Sequence, residues 1–386
     1  GKRTAFGAFG GKLKGWNATD LAVHATKAAL SAGSINPESV GSVTIGNVQQ
    51  TSPDAAYLAR HVGLRAGIPL PVPALTLNRL CGSGFQALVT GAQEIILGET
   101  DVAVVGGTES MSQAPMAVYG QDIRWGTRLG VNLDLTDTLW AGLTDSHAGC
   151  PMGITAENLA EEYGISRDES DVYALTSQQR WAAANEAGKF SDEIAPITLK
   201  SKKGPQLFAT DEHARATTLE KLAALPTTFK KGGVVTPASA SGICDGAASL
   251  VLASGEAVER DGLTPLAELV SYAVVGVEPT KMGIGPVPAI TAAAKRAGID
   301  PKVADLVEIN EAFAPQVMAC AKSLGLDYGK LNVCGGAIAL GHPLGASGAR
   351  ISAHLAHAIA RGEAKTAIGA ACIGGGQGIA VVLKTA

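Results

Sequence analysis

An internal repeat is the feature that most constrains the fold of this chain of 386 residues. Residues 35–47 (INPESVGSVTIGN) match residues 299–311 (IDPKVADLVEINE) at the Ile, Pro, Val and Ile positions, with an offset of 299 − 35 = 264. The same offset aligns further identical pairs, which are Leu80 with Leu344, Ser83 with Ser347, and Gly84 with Gly348. A constant offset over this range predicts two copies of one structural unit.

Each copy alternates short apolar runs with amphipathic segments, which is typical of α/β structure. Two such sheets can stack through their helices into a layered sandwich. Trp, Pro and charged residues become more frequent from residue 113 to residue 242, which indicates an insertion in the first copy. We therefore predict an N-terminal α/β half at 1–112 that is completed by about 243–262, an inserted loop domain at 113–242, and a C-terminal α/β half at 263–386.

Composition excludes several classes of function. The net charge of −4 is not that of a general nucleic-acid or membrane-surface binder. No apolar run reaches the length of a membrane span. Six Cys in irregular spacing favour a reducing compartment over a disulfide framework. Clusters of metal ligands, Walker-type loops and complete dinucleotide fingerprints are absent from the sequence. The chain opens at GKRTAFG without a Met, so we expect a preceding segment, which could carry a targeting signal.

Cys81 is the candidate nucleophile of the first copy. It follows the apolar run at 72–77 and precedes a helical pattern, so it is predicted at a strand-to-helix turn within NRLCGSG. The small residues after it allow a sharp turn and the close approach of a substrate. A thiol at a helix N-terminus faces unpaired N–H groups that favour the thiolate. The alternative is that Cys81 is a small buried apolar residue.

The second copy carries three dense motifs at the ends of predicted strands. They are NEAFA from Asn310, GGAIALGHPLGASGAR with His342, and CIGGGQG from Cys372. Each motif is weak alone, because Gly-rich turns follow strands in most α/β proteins. Under the offset of 264, His342 corresponds to Asn78, Cys372 to Thr108 and Asn310 to Gly46. Turns related by a pseudo-twofold axis would bring these positions into one pocket at the interface of the halves.

In this order and spacing, NRLCGSG, NEAFA, GHPLGASGARI and CIGGGQG closely resemble the thiolase family. GGTESMSQAP, TAENLA, SQQRW and DGAA agree as well, so the resemblance covers essentially the whole chain. LARHVGLRAGIP, DEHARATTLEKL and MGIGPVPAI match the mitochondrial-type 3-ketoacyl-CoA subgroup. Cys334 is a departure, since relatives usually have Asn or His there.

The resemblance implies a thiolase-like layered α-β-α-β-α sandwich built from two duplicated halves with an inserted loop domain. It also implies CoA and acyl-CoA as substrates, no tightly bound cofactor and no metal. A homodimer or homotetramer is expected by the same resemblance. The implied compartment is the mitochondrial matrix, with the bacterial cytoplasm as the alternative.

The resemblance further implies a Cys–His–Cys mechanism. Cys81 would attack the 3-keto carbon, with His342 as its base. His342 and a water held by Asn310 would form one oxyanion hole, and the N–H groups of Cys81 and Gly374 would form the second. Cys372 would act as the acid and base at carbon and sulfur. A thiol suits this role because its pKa, about 8.5 when unperturbed, can be drawn towards neutrality.

The inserted domain is expected to hold CoA. The segment 200–231 contains seven Lys or Arg (Lys200, Lys202, Lys203, Arg215, Lys221, Lys230 and Lys231), most of which would form a solvated basic face. By resemblance the CoA-contacting positions are Arg215, Thr217 and Ser241, and Phe229 and Met152 are neighbours of the pantetheine or acyl group. Phe313 and Met282 would line the acyl end, or else pack in the core.

Three functions follow from this pattern. The first is degradative cleavage of 3-ketoacyl-CoA in fatty-acid β-oxidation. The second is biosynthetic acetoacetyl-CoA thiolase, which would use the same residues in the opposite direction. The third is a weakly active acyl-CoA or lipid-binding protein on the same fold, which the presence of both Cys and of His342 in full motif context disfavours.

Overall fold

The structure, a computed structural model, describes residues 1–202 and 204–386. Its strands, in chain order, are β1 (Lys2–Arg3), β2 (Gly7–Ala8), β3 (Ser42–Gly46), β4 (Ala74–Leu77), β5 (Val102–Ser110), β6 (Met116–Ala117), β7 (Thr136–Asp137), β8 (Thr144–Asp145), β9 (Cys150–Pro151), β10 (Ile197–Leu199), β11 (Gln206–Phe208), β12 (Cys244–Ala253), β13 (Glu268–Gly276), β14 (Leu306–Ile309), β15 (Thr366–Ile373) and β16 (Gln377–Lys384). Its α-helices are α1 (Ala18–Ala32), α2 (Leu58–Ala66), α3 (Ser83–Ile96), α4 (Gly120–Ile123), α5 (Thr138–Gly142), α6 (Met152–Tyr163), α7 (Arg167–Glu186), α8 (Leu219–Ala223), α9 (Gly255–Asp261), α10 (Pro286–Ala297), α11 (Ala314–Leu324), α12 (Ala337–Leu340) and α13 (Leu344–Ala360). Short 3-10 turns lie at Pro37–Ser39, Ala55–Tyr57, Met111–Gln113, Pro279–Ile284 and Pro301–Val303.

The first sheet has the strand order β1-β12-β5-β3-β4, and β2 also pairs with β12. β3 runs parallel to β4 and β5, whereas β12 runs antiparallel to β5. Every residue of β5 is buried, because helices cover both faces of the sheet. The carboxyl ends of β3, β4 and β5 therefore open at one edge, where the turn that carries Cys81 begins.

The second sheet repeats this arrangement in the order β13-β16-β15-β14. β14 is parallel to β15 and β16 is antiparallel to it, as β3, β5 and β12 are in the first sheet. The offset of 264 connects the starts of these strands, since 42 + 264 = 306 and 102 + 264 = 366. The copies differ after the equivalent of β5. β15 turns directly into β16, whereas the first copy leaves its sheet at Ser110 and returns at Cys244.

The helices form three layers around the two sheets. α3 and α13 lie between the sheets, in one apolar cluster with side chains of β5, β12, β15 and β16. α1 and α2 cover the outer face of the first sheet. α10 and α11 cover the outer face of the second. The predicted α-β-α-β-α sandwich is confirmed.

The segment between β5 and β12 packs largely on the second half. Leu159 of α6 and Tyr173 of α7 lie in the same cluster as α10 and α11. Short two-stranded pairs, β6 with β7, β8 with β9, and β10 with β11, complete the segment. Within the described residues, no helix is both long enough and apolar enough to cross a membrane.

The central helices touch at the two glycines that the repeat relates. A β-carbon on Gly84 of α3 would lie 2.4 Å from the backbone nitrogen of Ala349 and 3.0 Å from that of Gly348. A β-carbon on Gly348 of α13 would lie 2.3 Å from the backbone nitrogen of Phe85. Atoms essentially never approach so closely, so only Gly allows the two helix backbones to meet here.

We expect Gly84→Ala to destabilise the protein by about 1–3 kcal/mol, because the added methyl group overpacks a backbone contact. The gain in helix propensity from Gly to Ala, about 0.5–1 kcal/mol, opposes this effect but is smaller. The measurement is the free energy of unfolding in urea. Gly255→Ala, where a β-carbon meets no atom within 4 Å, is the matched control. Equal stability of Gly84→Ala and wild type would contradict the close contact.

Candidate active site

Cys81 lies on the turn between β4 and α3, which we call the nucleophile turn (residues 78–84). Leu80 has a φ of 47°, a left-handed conformation that is strained for a side chain of this kind. Two side chains hold the turn. The N–H of Leu80 donates to Oδ1 of Asn78 at 2.8 Å, and the N–H of Arg79 donates to Oγ of Ser83 at 2.8 Å. The strained turn places Cys81 at the N-terminal end of α3.

The turn that follows Cys372 covers the nucleophile turn from the other half of the protein. We call it the glycine hairpin (residues 372–378). The backbone N–H of Gly374 lies near the sulfur of Cys81 and acts to lower the pKa of that thiol. A β-carbon on Gly82 would lie 2.5 Å from Cδ1 of Ile373, so the two turns pack without space between them. The structure therefore brings Cys81, Gly374 and Cys372 together from sequence positions almost 300 residues apart.

Burial dominates the electrostatics of both thiols. Desolvation raises the pKa of Cys81 to about 11, although the N–H of Gly374 opposes this shift, and the nearby carboxylate of Glu109 adds to it. Burial also raises the pKa of Cys372 well above its usual value. The expectation that these pKa values are drawn towards neutrality is wrong for the resting site, because desolvation outweighs the helix terminus.

His342 is buried and its hydrogen bonds define its tautomer. We assign the ring proton to Nδ1, since Oγ of Ser347 lies 3.0 Å from the carbonyl of Pro343, to which it can donate its single proton, and 2.6 Å from Nδ1 of His342, from which it can then accept. Nε2 is therefore left without a proton and is free to act as a base. Burial, with a contribution from the charge of Arg350, lowers the pKa of His342 to about 3. The imidazole is thus neutral at physiological pH.

Asn310 connects this base to the second cysteine. Its Nδ2 lies 3.3 Å from Nε2 of His342. Its backbone N–H donates to the carbonyl of Ala370, two residues before Cys372, at 2.8 Å. Asn310 is fully buried, yet its Oδ1 has no hydrogen-bond partner within the described residues. A buried amide with an unused acceptor beside a neutral base can accept a hydrogen bond from a water and so hold that water in place.

Glu109 is a residue of the site that sequence reasoning missed. Its carboxylate is fully buried and accepts four hydrogen bonds at 2.9–3.1 Å, from the N–H groups of Val48, Gln49 and Gly345 and from Nδ2 of Asn47. Burial raises its pKa to about 7. Gly345 lies in the first turn of α13, so Glu109 ties the first sheet to the loop of His342. The only sequence signal was an acid at the end of a long buried strand.

The residues expected at the acyl end surround Cys372. Met282, Phe313 and Cys372 are buried in one apolar cluster, with Met152 and Phe229 packed against it. The rings of Phe229 and Phe313 meet edge to face at 6.1 Å. A β-carbon on Gly374 would lie 3.4 Å from the sulfur of Met152. These four predicted side chains therefore adjoin the glycine hairpin.

The predicted CoA-contacting residues lie nearby in the inserted segment. Arg215 and Thr217 line a cavity of about 220 Å³, together with His213 and Lys221. A β-carbon on Gly242 would lie 2.4 Å from the ring of His213, so this cavity adjoins the backbone beside Ser241. The N–H of Ser241 donates to the carbonyl of Ala312 at 3.0 Å.

The rest of the basic segment is largely solvated, as predicted for most of its side chains. Lys200, Lys202, Lys230 and Lys231 are exposed, and Lys230 pairs with Glu161. Lys203 lies outside the described residues. In the part of the chain that the structure describes, no group of three His, Cys, Asp or Glu residues could hold a metal ion.

Comparison with known proteins places this geometry in context. The family described as "Thiolase, N-terminal domain" matches residues 1–256, and "Thiolase, C-terminal domain" matches residues 263–385. The chain is 60% identical to a mitochondrial 3-ketoacyl-CoA thiolase of Homo sapiens, covering 100% of this chain and 96% of the relative. It is 46% identical to an acetyl-CoA acetyltransferase of Cupriavidus necator, covering 99% and 97%. The crystal structure of human mitochondrial 3-ketoacyl-CoA thiolase in complex with CoA superposes with a TM-score of 0.97 at 59% identity, covering 100% and 96%.

We expect His342 to remain neutral when the pH falls from 8 to 5, because its pKa is lowered to about 3 by burial. The measurement is a pH titration of ¹⁵N-histidine-labelled protein by NMR, with His342→Asn to assign the signal. The nitrogen shifts should report a proton on Nδ1 throughout. A titration midpoint near 6.5, the ordinary His value, would contradict both the burial and the tautomer.

Proposed function

Because the chain belongs to the thiolase family, we propose that it catalyses the thiolytic cleavage of 3-ketoacyl-CoA by CoA in fatty-acid β-oxidation. The products are acetyl-CoA and an acyl-CoA shortened by two carbons. One observation carries the proposal: the turn of Cys81, from the first half, packs directly on the turn that follows Cys372 in the second half, with the N–H of Gly374 near the sulfur of Cys81. A nucleophile, a second thiol and an N–H donor thereby meet at one point.

The first half-reaction is the attack of Cys81 on the 3-keto carbon. Both Cys81 and His342 are neutral at rest, so the proton passes from sulfur to Nε2 as the carbon–sulfur bond forms rather than before it. The negative oxygen is stabilised by the protonated His342 and a water held by Asn310. Collapse breaks the bond between C2 and C3 and expels the enolate of acetyl-CoA. Cys372 protonates this enolate at carbon.

The second half-reaction transfers the acyl group to CoA. Cys372, now a thiolate, takes the proton from the incoming CoA thiol, and the sulfur of CoA attacks the acyl–Cys81 thioester. The N–H groups of Cys81 and Gly374 stabilise the second oxyanion. Cys81 then leaves and recovers a proton from His342. The cycle is ping-pong and reversible.

CoA is a substrate here and not a resident cofactor. Arg215 and Thr217, which line the cavity of about 220 Å³, and Ser241 beside it would bind the nucleotide end. Met152 and Phe229 would contact pantetheine, and Phe313 and Met282 the acyl chain. The inserted domain at 113–242 would therefore supply most of the CoA site. The human relative crystallised in complex with CoA supports CoA as the ligand.

The degradative reaction is favoured over the biosynthetic one by the comparisons. Identity is 60% to the mitochondrial 3-ketoacyl-CoA thiolase of Homo sapiens and 46% to the acetyl-CoA acetyltransferase of Cupriavidus necator. The names of the mitochondrial relatives also support a location in the mitochondrial matrix, with the bacterial cytoplasm as the alternative.

A homodimer or homotetramer is the proposed assembly. β4 is an edge strand that pairs only with β3 among the described strands, and such an edge is a site for pairing with a second chain. Trp125 and Leu129 in the inserted domain are largely exposed, which supports further burial against another copy.

Cys372→Ala should separate the two chemical roles. We expect exchange of the C2 protons of acetyl-CoA with solvent to fall by about 10²–10⁴-fold, because the acid and base at carbon is lost. Acylation of Cys81 by acetyl-CoA should persist in part. Exchange is measured by NMR in D₂O and acylation by the mass of the intact protein. Cys81→Ala is the control, which should lose the acyl adduct and thiolysis while retaining CoA binding. Equal loss of exchange and acylation in Cys372→Ala would remove the assignment of Cys372.

A chain-length series tests the degradative reaction against the biosynthetic one. We expect kcat/KM for medium-chain 3-ketoacyl-CoA to exceed that for acetoacetyl-CoA by about tenfold or more, since each buried CH₂ contributes about 0.8 kcal/mol. Two buried CH₂ groups suffice for this ratio. A preference for acetoacetyl-CoA would favour the biosynthetic alternative. CoA binding without turnover on any substrate would favour an acyl-CoA binding protein.

A further inference from the structure

Arg79 and Gln377 form a link between the two turns that carry the reactive groups. Nη1 of Arg79 donates to Oε1 of Gln377 at 2.9 Å, in a partly buried position. Arg79 precedes Cys81 by two residues, and Gln377 follows Gly374 by three. Among the hydrogen bonds between two side chains in the described residues, this is the only one that joins the nucleophile turn to the glycine hairpin.

The apolar contacts between these turns limit distance but not orientation. Gly82 contacts Ile373, and Gly374 lies against Leu80, since a β-carbon on Gly374 would lie 3.1 Å from Cδ1 of Leu80. Apolar contacts of this kind keep the turns from moving closer, yet they allow one turn to slide along the other. A hydrogen bond from a planar guanidinium is directional, so it sets the register of the turns.

Register matters because the proposed oxyanion hole is divided between the turns. One donor is the N–H of Cys81 in the first half of the protein, and the other is the N–H of Gly374 in the second half. The two N–H groups stabilise an oxyanion only when both lie at hydrogen-bond distance from the same oxygen atom. Leu80 is held in a left-handed conformation beside Cys81, and such a strained turn keeps its shape only while its surroundings constrain it.

The burial of Arg79 is poorly explained by stability alone. Its Nε is buried without a hydrogen-bond partner. An unsatisfied buried donor is costly, so a chain under selection only for stability would favour another residue here.

We propose that Arg79 and Gln377 are positioning residues that align the N–H groups of Cys81 and Gly374 on one oxyanion; this inference rests on the proposed function. Neither side chain touches the reacting atoms in this role. Their effect is on the geometry of the transition state, so loss of the link lowers kcat and leaves the binding of CoA unchanged.

The test is a double-mutant cycle of Arg79→Met, Gln377→Met and the double variant. We expect each single variant to lower kcat for thiolysis roughly 10- to 100-fold, with KM for CoA within about twofold of wild type. The double variant should be no slower than the slower single variant, because both changes remove one interaction. Gln377→Glu retains the acceptor and should stay within about threefold of wild type. Arg65→Met, which removes an exposed ion pair with Asp20, is the control and should have wild-type kinetics.

The outcomes separate this inference from the proposed function. Absence of thiolysis in the wild-type enzyme would refute the function itself. With an active wild type, independent and multiplicative losses in the double variant would overturn the link between Arg79 and Gln377. Losses that match a fall in folded protein, measured by thermal unfolding and by titration of Cys81 with iodoacetamide, would overturn the positioning role. A loss of Gln377→Glu as large as that of Gln377→Met would overturn it as well.

Discussion

The contact between the backbones of α3 and α13 is the constraint on which the rest of the structure depends. Gly84 and Gly348 are related by the repeat, and each lies against the backbone of the other helix. Cys81 lies two residues before the start of α3, and His342 lies two residues before the start of α13. The crossing of the two helices therefore decides how far the nucleophile lies from its base. Equivalent positions of the two copies meet at Gly84 and Gly348, and the candidate site lies at the N-terminal ends of the two helices that carry them.

Desolvation dominates the candidate site, and the protonation of its groups at rest follows from that. Burial keeps Cys81 as a thiol and His342 as an imidazole, so the resting enzyme holds a neutral pair where a surface site would favour an ion pair. In the proposed mechanism, charge develops only when the sulfur attacks the substrate carbonyl, and N–H groups and a neutral imidazole are then already in place. Glu109 extends this pattern, since its carboxylate receives four hydrogen bonds from both halves and opposes early ionisation of Cys81. Burial thus keeps the reactive side chains neutral at rest, and the same packing holds the hydrogen-bond donors in position.

The fold was largely predictable from the sequence because the internal repeat shows which strands of the two halves are equivalent. An offset of 264 links β3 to β14 and β5 to β15, and motifs at the strand ends carry the thiolase resemblance. The positions of Cys81, His342 and Cys372 at turns followed from the same pattern, while their catalytic roles remain predictions. The thiol pKa values were not predictable, because a helix terminus is visible in sequence and desolvation is not. The contacts of Glu109, Arg79 and Gln377 were missed for a related reason, since each depends on a hydrogen bond set by tertiary packing. The two copies also differ in one element that the repeat does not predict, since α12 in the second copy lies at the position that corresponds to β4 in the first.

The long excursion between β5 and β12 has a consequence for how the chain is made. β12 pairs with β1, β2 and β5, yet it is the last strand of the first sheet to leave the ribosome. Until residue 253 has emerged, the nascent chain exposes a bare flank of β5, and β1 and β2 lack the strand β12 with which they pair. The first sheet therefore cannot be completed early in synthesis. A long nascent intermediate with an unpaired β edge is prone to aggregation, so we expect it to bind chaperones.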